Sequence, residues 1–148
     1  MTSLPSAFSR SYQEAREKFL LAAHSAGLLV QSHVHPLPGR DGETLAMDVV
    51  RDGPLDAAHL LIVTSACHGV EGYCGSGVQI HALQNESWRH MIRESGAAVL
   101  YIHALNPYGF SHVRRVTHEN VDINRNFHDF TRPLPDNARY RELQALLL

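Results

Sequence analysis

The stretch AAHLLIVTSACHGVEGYCGSGVQ, residues 57–79, passes from an apolar run into a glycine-rich loop and then into a helical pattern. The run from Leu60 to Val63 is continuous and contains β-branched residues, which predicts a central strand buried on both faces. A second run, AAVLYIHALNP at residues 97–107, predicts another buried strand. Between them, residues 76–95 read as a helix in two pieces that meet near Asn85. The order strand, loop, helix, strand predicts a βαβ unit with parallel strands.

The rest of the chain adds elements around this unit. Residues 11–27 have apolar positions at helical spacing, and LAMDVVRDGP at residues 45–54 reads as a short strand. The intervening HPLPGRDGE, residues 35–43, is turn-rich. Residues 106–135 read as a long loop, which is usually functional in a compact domain, and residues 137–148 as a short helix. The sequence therefore predicts an α/β fold, with a largely parallel mixed sheet sandwiched by helices.

Composition limits the classes of function. The 148 residues suit one domain, and the formal net charge of −2 gives no basic stripe for nucleic acid or a membrane surface. The N-terminus has no cationic stretch followed by a long apolar run, so neither a signal peptide nor a membrane anchor is expected. Two cysteines are fewer than a small secreted domain usually carries. We expect a cytoplasmic protein with reduced thiols.

The loop SACHGVEGYCGSGVQ, residues 65–79, has three readings. Its glycines do not match a dinucleotide-binding fingerprint, and it contains no lysine for a P-loop. A structural zinc site is disfavoured because Cys67 and Cys74 lack partners at CxxC spacing. His68 and Glu71 stand three residues apart, close enough to ligate one catalytic zinc. An HxxE pair alone is weak evidence, since a polar turn also explains it.

The second motif is NPYGF, paired arginines, and then VDINRNF at residues 121–127. Together with HGVEG, these three ordered motifs resemble the zinc carboxypeptidase superfamily, which includes the aspartoacylase and succinylglutamate desuccinylase branch. The wording SACHGVEGYCGSGVQ and ALNPYGFSHVRR looks most like an uncharacterised bacterial branch. The resemblance covers roughly residues 9–132.

The resemblance implies a role for each matching residue. His68 and Glu71 correspond to the first two ligands of one Zn²⁺ ion, and Asp122 to the aspartate that holds the first ligand histidine. Arg115, or else its neighbour Arg114, corresponds to the arginine that polarises the scissile carbonyl. Asn124 and Arg125 match the pair that binds a substrate carboxylate. The Asn106-Pro107-x-Gly109 turn is expected to aim the loop that follows it.

The family pattern is incomplete in this chain. The third zinc ligand and the general-base glutamate of the family come later than residue 148, so the resemblance implies the N-terminal part of a catalytic domain, residues 1–148 forming a single partial domain. His103, His112 or His118 is a candidate to complete a metal shell, and Glu119 a candidate base, with no reason to choose among them. An uncovered sheet edge predicts self-association into a homo-oligomer.

The leading hypothesis is therefore a zinc-dependent hydrolase acting on a small peptide or an N-acyl amino acid. Two alternatives remain. One is a binding module that keeps the carboxylate-binding pair and weak metal affinity but catalyses nothing. The other is a histidine-rich metal carrier, based on the eleven histidines, which leaves VDINRNF unexplained.

Overall fold

The computed structural model describes residues 4–147. Its elements, in chain order, are α1 (Tyr12–Ser25), β1 (Val30–Val34), β2 (Ala46–Asp52), β3 (Leu60–Thr64), α2 (Gly72–Gln84), α3 (Glu86–Glu94), β4 (Ala98–His103), α4 (Pro107–Ser111) and α5 (Ala138–Leu147), with 3-10 turns at Leu4–Ala7, Gly69–Glu71 and Ile123–Arg125. Within the described residues, none of the helices has the length and apolar character needed to cross a membrane.

The four strands form one mixed sheet in the order β1-β2-β4-β3. Strands β3 and β4 are parallel, which confirms the predicted βαβ unit, and the α/β class is confirmed with it. The sheet is not the largely parallel one that the sequence predicted, because β1 pairs with β2 and β2 pairs with β4 in antiparallel fashion. The sequence reading missed β1, whose residues VQSHV are polar and mostly exposed, and so missed the antiparallel half.

The helices α1, α2 and α3 share one core with a single face of the sheet. That core joins Phe19, Ile80 and Ile92 of the helices to Val50 and Tyr101 of the strands. The prediction of a sheet sandwiched by helices is therefore not met among residues 4–147. Side chains that point to the other face remain half-exposed or exposed, among them Met47, Val49, Leu60, Ile62, Leu100 and Ile102.

Strand β3 lies at an edge of this sheet rather than at its centre. Leu60 and Leu61 are each 45% exposed and Ile62 is 54% exposed, so the prediction of a strand buried on both faces is wrong for the described chain. A continuous apolar run indicates that the side chains of a strand favour burial, but it does not show whether the strand lies at the centre or at the edge of the sheet. Among residues 4–147, no other strand pairs with its outer edge.

Two buried aspartates on β2 anchor the helix layer. Asp48 is fully buried and pairs with Arg16 of α1 at 2.7 Å, while Asp52 is 5% exposed and pairs with Arg89 of α3 at 2.7 Å. Arg89 also donates to the Ala26 carbonyl oxygen. Buried charges of this kind are retained only when they are paired, so these pairs fix where α1 and α3 sit along β2.

The helix that follows the glycine-rich loop begins earlier than predicted. It starts at Gly72 rather than Ser76. The glycines in its first two turns lie against Ala66, Ser65 and Phe8, where there is no room for a β-carbon. The predicted break near Asn85 is confirmed: Asn85 ends α2, and its side chain accepts the Trp88 amide to cap α3.

Candidate metal centre

The residues predicted to be functional lie beyond the carboxyl ends of the parallel strands β3 and β4. Each strand leaves the sheet through an alanine with left-handed backbone, Ala66 at φ 55° and Ala104 at φ 64°. The two alanines pack in one small cluster with Phe110. Non-glycine residues in this region carry strain and concentrate at functional sites. The sharp turns bring the HGVE loop and the NPYGF segment side by side.

These two segments meet backbone to backbone. A β-carbon at Gly69 would overlap the main chain of Gly109 and Phe110, so this close approach requires glycine. The Val70 amide donates to the Arg114 carbonyl oxygen at 3.2 Å, and the Gly69 amide to the Arg115 carbonyl oxygen at 3.4 Å. The loop with the two candidate metal ligands is thereby fixed to the segment that carries the paired arginines.

Asn106 shapes the start of the second segment. Its side-chain oxygen accepts the Gly109 amide at 2.8 Å and caps α4, with Pro107 in the first turn. Its side-chain nitrogen lies 3.5 Å from the Arg115 carbonyl oxygen. Asn106 is 2% exposed. The residue thus aims the following loop, as the sequence predicted, although the one-turn helix α4 was not foreseen.

The His68 imidazole lies between two carboxylates. Its Nδ1 is 3.1 Å from Glu71 Oε1, and its Nε2 is 3.1 Å from Asp122 Oδ1. The His68 side chain is 10% exposed, whereas that of Glu71 is 67% exposed. A neutral imidazole has one N–H donor and one acceptor nitrogen. Two carboxylates can therefore be satisfied together only by a second proton or by a cation on one side of the ring.

The Nδ1 side suits a metal ion. Two donors that share a tetrahedral zinc at about 2.0–2.1 Å lie roughly 3.3 Å apart, close to the 3.1 Å between His68 Nδ1 and Glu71 Oε1. An imidazole nitrogen and a carboxylate oxygen are both zinc donors. On the opposite side of the ring, Asp122 accepts the Nε2 hydrogen, which leaves the Nδ1 lone pair facing Glu71. His68 and Glu71 therefore fit two positions of a zinc shell.

Arg115 reaches the same aspartate. Its Nε donates to Asp122 Oδ2 at 2.9 Å, and its side chain is 49% exposed. Partial desolvation opposes ionisation of the carboxyl, but the hydrogen bonds from Arg115 and His68 outweigh it and hold the pKa of Asp122 below its usual value. Asp122 is thus a carboxylate at neutral pH, able to orient both partners.

The structure places Asn124 and Arg125 in a 3-10 turn directly after Asp122. The Asn124 amide donates to Asp122 Oδ1 at 3.0 Å, so the aspartate also caps this turn. Both side chains are exposed. Arg114, the alternative to Arg115, instead donates to the Asn120 side chain. The segment between α4 and the turn passes through Val113 at φ 54°, a strained conformation for a β-branched residue.

Other candidates from the sequence lie apart from this centre. His103 is fully buried and bonds Ser76, and His112 stacks on Tyr108, whose ring also contacts that of His118. Residues 4–147 contain no group of three or more His, Cys, Asp or Glu side chains arranged to hold a metal ion. Cys67 and Cys74 are free thiols. Burial, followed by the charges of Asp122 and Glu71, raises the pKa of the Cys67 thiol, which disfavours a thiolate there.

Comparison with known structures identifies the type of fold. Carboxypeptidase A from Helicoverpa armigera matches with a TM-score of 0.51 and 16% identity, over 80% of this chain and 34% of that enzyme. Glutaminyl cyclase from Porphyromonas gingivalis matches 72% of this chain and 46% of its own at 15% identity, with a TM-score of 0.41. The chain therefore has a carboxypeptidase-like fold and spans about a third of the carboxypeptidase.

The chain belongs to DUF2817, a protein family of unknown function, whose family model matches residues 8–148. No curated protein matches the chain. The motifs HGVEG, NPYGF and VDINRNF resemble the zinc carboxypeptidase superfamily. The matched family and the structural comparison agree with that resemblance at the level of the fold.

Proposed function

We propose that this chain carries the N-terminal part of a zinc-dependent hydrolase that cleaves a peptide or N-acyl amide bond next to a free carboxylate. The observation that supports it best is the pair of carboxylates on the two nitrogens of His68. An imidazole fixed by Asp122 on one side, with a carboxylate from its own loop on the other, is the arrangement of a zinc ligand with its orienting partner.

In this proposal, His68 Nδ1 and Glu71 hold the metal, and Asp122 accepts the Nε2 hydrogen to fix the ring. When bound, zinc supplies Lewis-acid activation of a carbonyl and of a water molecule. Glu71 is the more exposed of the two residues, so a metal held there would have one side open toward solvent and substrate. The open side is a requirement of a catalytic rather than a structural zinc.

Substrate recognition is assigned to the arginines and to Asn124. Arg115 is tied through its Nε, so its two terminal nitrogens remain available to a carbonyl oxygen that gains negative charge. Arg125 and Asn124 are exposed in the turn beside it, and a planar guanidinium suits a carboxylate. The substrate class is a small peptide or an N-acyl amino acid, and we expect the protein to act in the cytoplasm.

A second candidate is a binding module without catalysis. The observation that favours it is the count of ligands, because His68 and Glu71 find no third metal-binding side chain within residues 4–147. Such a module would bind carboxylates at Asn124 and Arg125 and metal only weakly.

Zinc content and zinc affinity of the purified chain test the proposal. We expect one zinc per chain, lost in His68→Ala and retained in His24→Ala, a matched change of an exposed histidine on α1. Zinc that survives His68→Ala would refute the metal site, and a purified chain without zinc would favour the binding module. Turnover of N-acyl amino acids or peptides that a chelator abolishes and Glu71→Ala removes would exclude the binding module.

A further inference from the structure

One carboxylate collects hydrogen bonds from three of the segments predicted to be functional. Asp122 Oδ1 accepts from His68 Nε2 at 3.1 Å and from the Asn124 amide at 3.0 Å, while Oδ2 accepts from Arg115 Nε at 2.9 Å. These donors come from the loop after β3, from the turn at 123–125 and from the loop after α4. The Asp122 side chain is 19% exposed, so the cluster is partly shielded from water.

We propose that Asp122 is the positioning residue for Arg115 and for the Asn124–Arg125 turn, in addition to its contact with His68. Arg115 has a long side chain, which loses rotamer entropy when it is ordered. A single charge-assisted bond at Nε fixes the guanidinium plane and leaves both terminal nitrogens unused by any described residue. The backbone at Arg115 is held as well, through its carbonyl oxygen.

The two carboxylate oxygens of Asp122 accept hydrogen bonds from different donors. Oδ1 serves two donors, the ring of His68 and the amide of Asn124, and Oδ2 serves Arg115 alone. Replacing Asp122 by Asn keeps one oxygen, and that oxygen stays on the side with two donors. The new amide group then faces Arg115 with its own N–H groups. Asp122→Asn therefore removes the hold on Arg115 while it preserves the cap of the turn, since Asn is also a good N-cap.

The consequence for catalysis rests on the proposed function, whereas the positioning itself can be tested without zinc or substrate. The readout is the hydrogen exchange of arginine Nε–H groups in ¹⁵N-labelled protein, with the Arg115 signal assigned through Arg115→Lys. We expect this hydrogen to exchange at least about tenfold more slowly than that of exposed Arg139. In Asp122→Asn the protection should disappear.

Two controls separate positioning from loss of structure. Trp88 Nε1–H donates to the Tyr101 hydroxyl at 2.9 Å in the main core, and its exchange should not change in Asp122→Asn. Asp129→Asn removes the same charge from an exposed aspartate that pairs with Arg132, and it should leave the Arg115 signal protected.

The outcomes are distinct from those of the zinc experiment. An Arg115 Nε–H that exchanges as fast as that of Arg139, or one that stays protected in Asp122→Asn, would overturn the inference even if the wild type binds zinc. Protection that depends on Asp122 in a chain that binds no zinc would support the inference and favour the binding module over the hydrolase.

Discussion

His103 makes folding stability sensitive to mild acid. The imidazole on β4 is fully buried, contacts Ser76 Oγ at 2.8 Å through Nε2, and stacks on Phe19 with ring centroids 4.5 Å apart. Its Nδ1 finds no hydrogen-bond partner among residues 4–147. Burial lowers the pKa of His103 from 6.5 to about 4, against the opposing charge of Asp48.

The sign and size of the effect follow from linkage. The unfolded chain binds the proton near pH 6.5 and the folded chain only near pH 4. Stability is therefore fully present above the unfolded value and falls as the pH drops toward the folded one. The full loss is roughly 3 kcal/mol at about 1.36 kcal/mol per pKa unit, of which roughly 2 kcal/mol falls between about pH 7.5 and about pH 5.

The assay is urea unfolding of wild type and His103→Gln at a series of pH values across this range. Gln does not titrate and can still bond Ser76, so the variant should lose roughly 2 kcal/mol less than wild type between the two ends of the range. His24→Gln, at an exposed site on α1, should follow wild type. If the stability of His103→Gln falls with pH as steeply as that of wild type, another group carries the acid sensitivity and the reasoning about His103 is wrong.

Three further changes have defined outcomes. Gly69→Ala forces a methyl group into the main chain of Gly109, so we expect zinc affinity to fall by about tenfold or more in calorimetric titration. Arg89→Ala leaves Asp52 buried without its partner and should cost about 3 kcal/mol in urea unfolding. Ile62→Lys charges the exposed edge strand β3 and should shift the chain from oligomers toward monomers in light scattering at micromolar concentration.

Each of these has a control or a contrary result. Gly96→Asn, at a left-handed position with open space around it, should leave zinc affinity unchanged. Asp52→Asn with Arg89→Met removes both charges and should cost less than Arg89→Ala alone. Wild-type protein that stays monomeric from micromolar concentrations upward contradicts self-association through β3.

The βαβ unit could be predicted because its signals are local. The apolar run at Leu60–Val63 and the break at Asn85 are each read from a few neighbouring residues, and the structure has a strand and a helix boundary there. Strand β1 could not be found this way. Its residues are mostly polar and form no continuous apolar run, so only its pairing with β2 identifies it as a strand.

Part of the candidate site could likewise be predicted from the sequence, and part could not. His68, Glu71 and Asp122 stand in recognisable motifs, and the structure brings them together. The pairing of Arg115 with Asp122 was not foreseen, because two residues seven positions apart in a loop carry no periodic signal. The sequence places His103 close to the site, but the alternation of side chains along the strand turns its ring into the core.

The contact between Gly69 and Gly109 makes the two motifs a single mechanical unit. Each loop supplies the surface against which the other packs. Moving HGVE by itself into another scaffold would carry the two metal ligands without the support that spaces them from Arg115. A transplant of this centre would need both loops and the ends of both parallel strands.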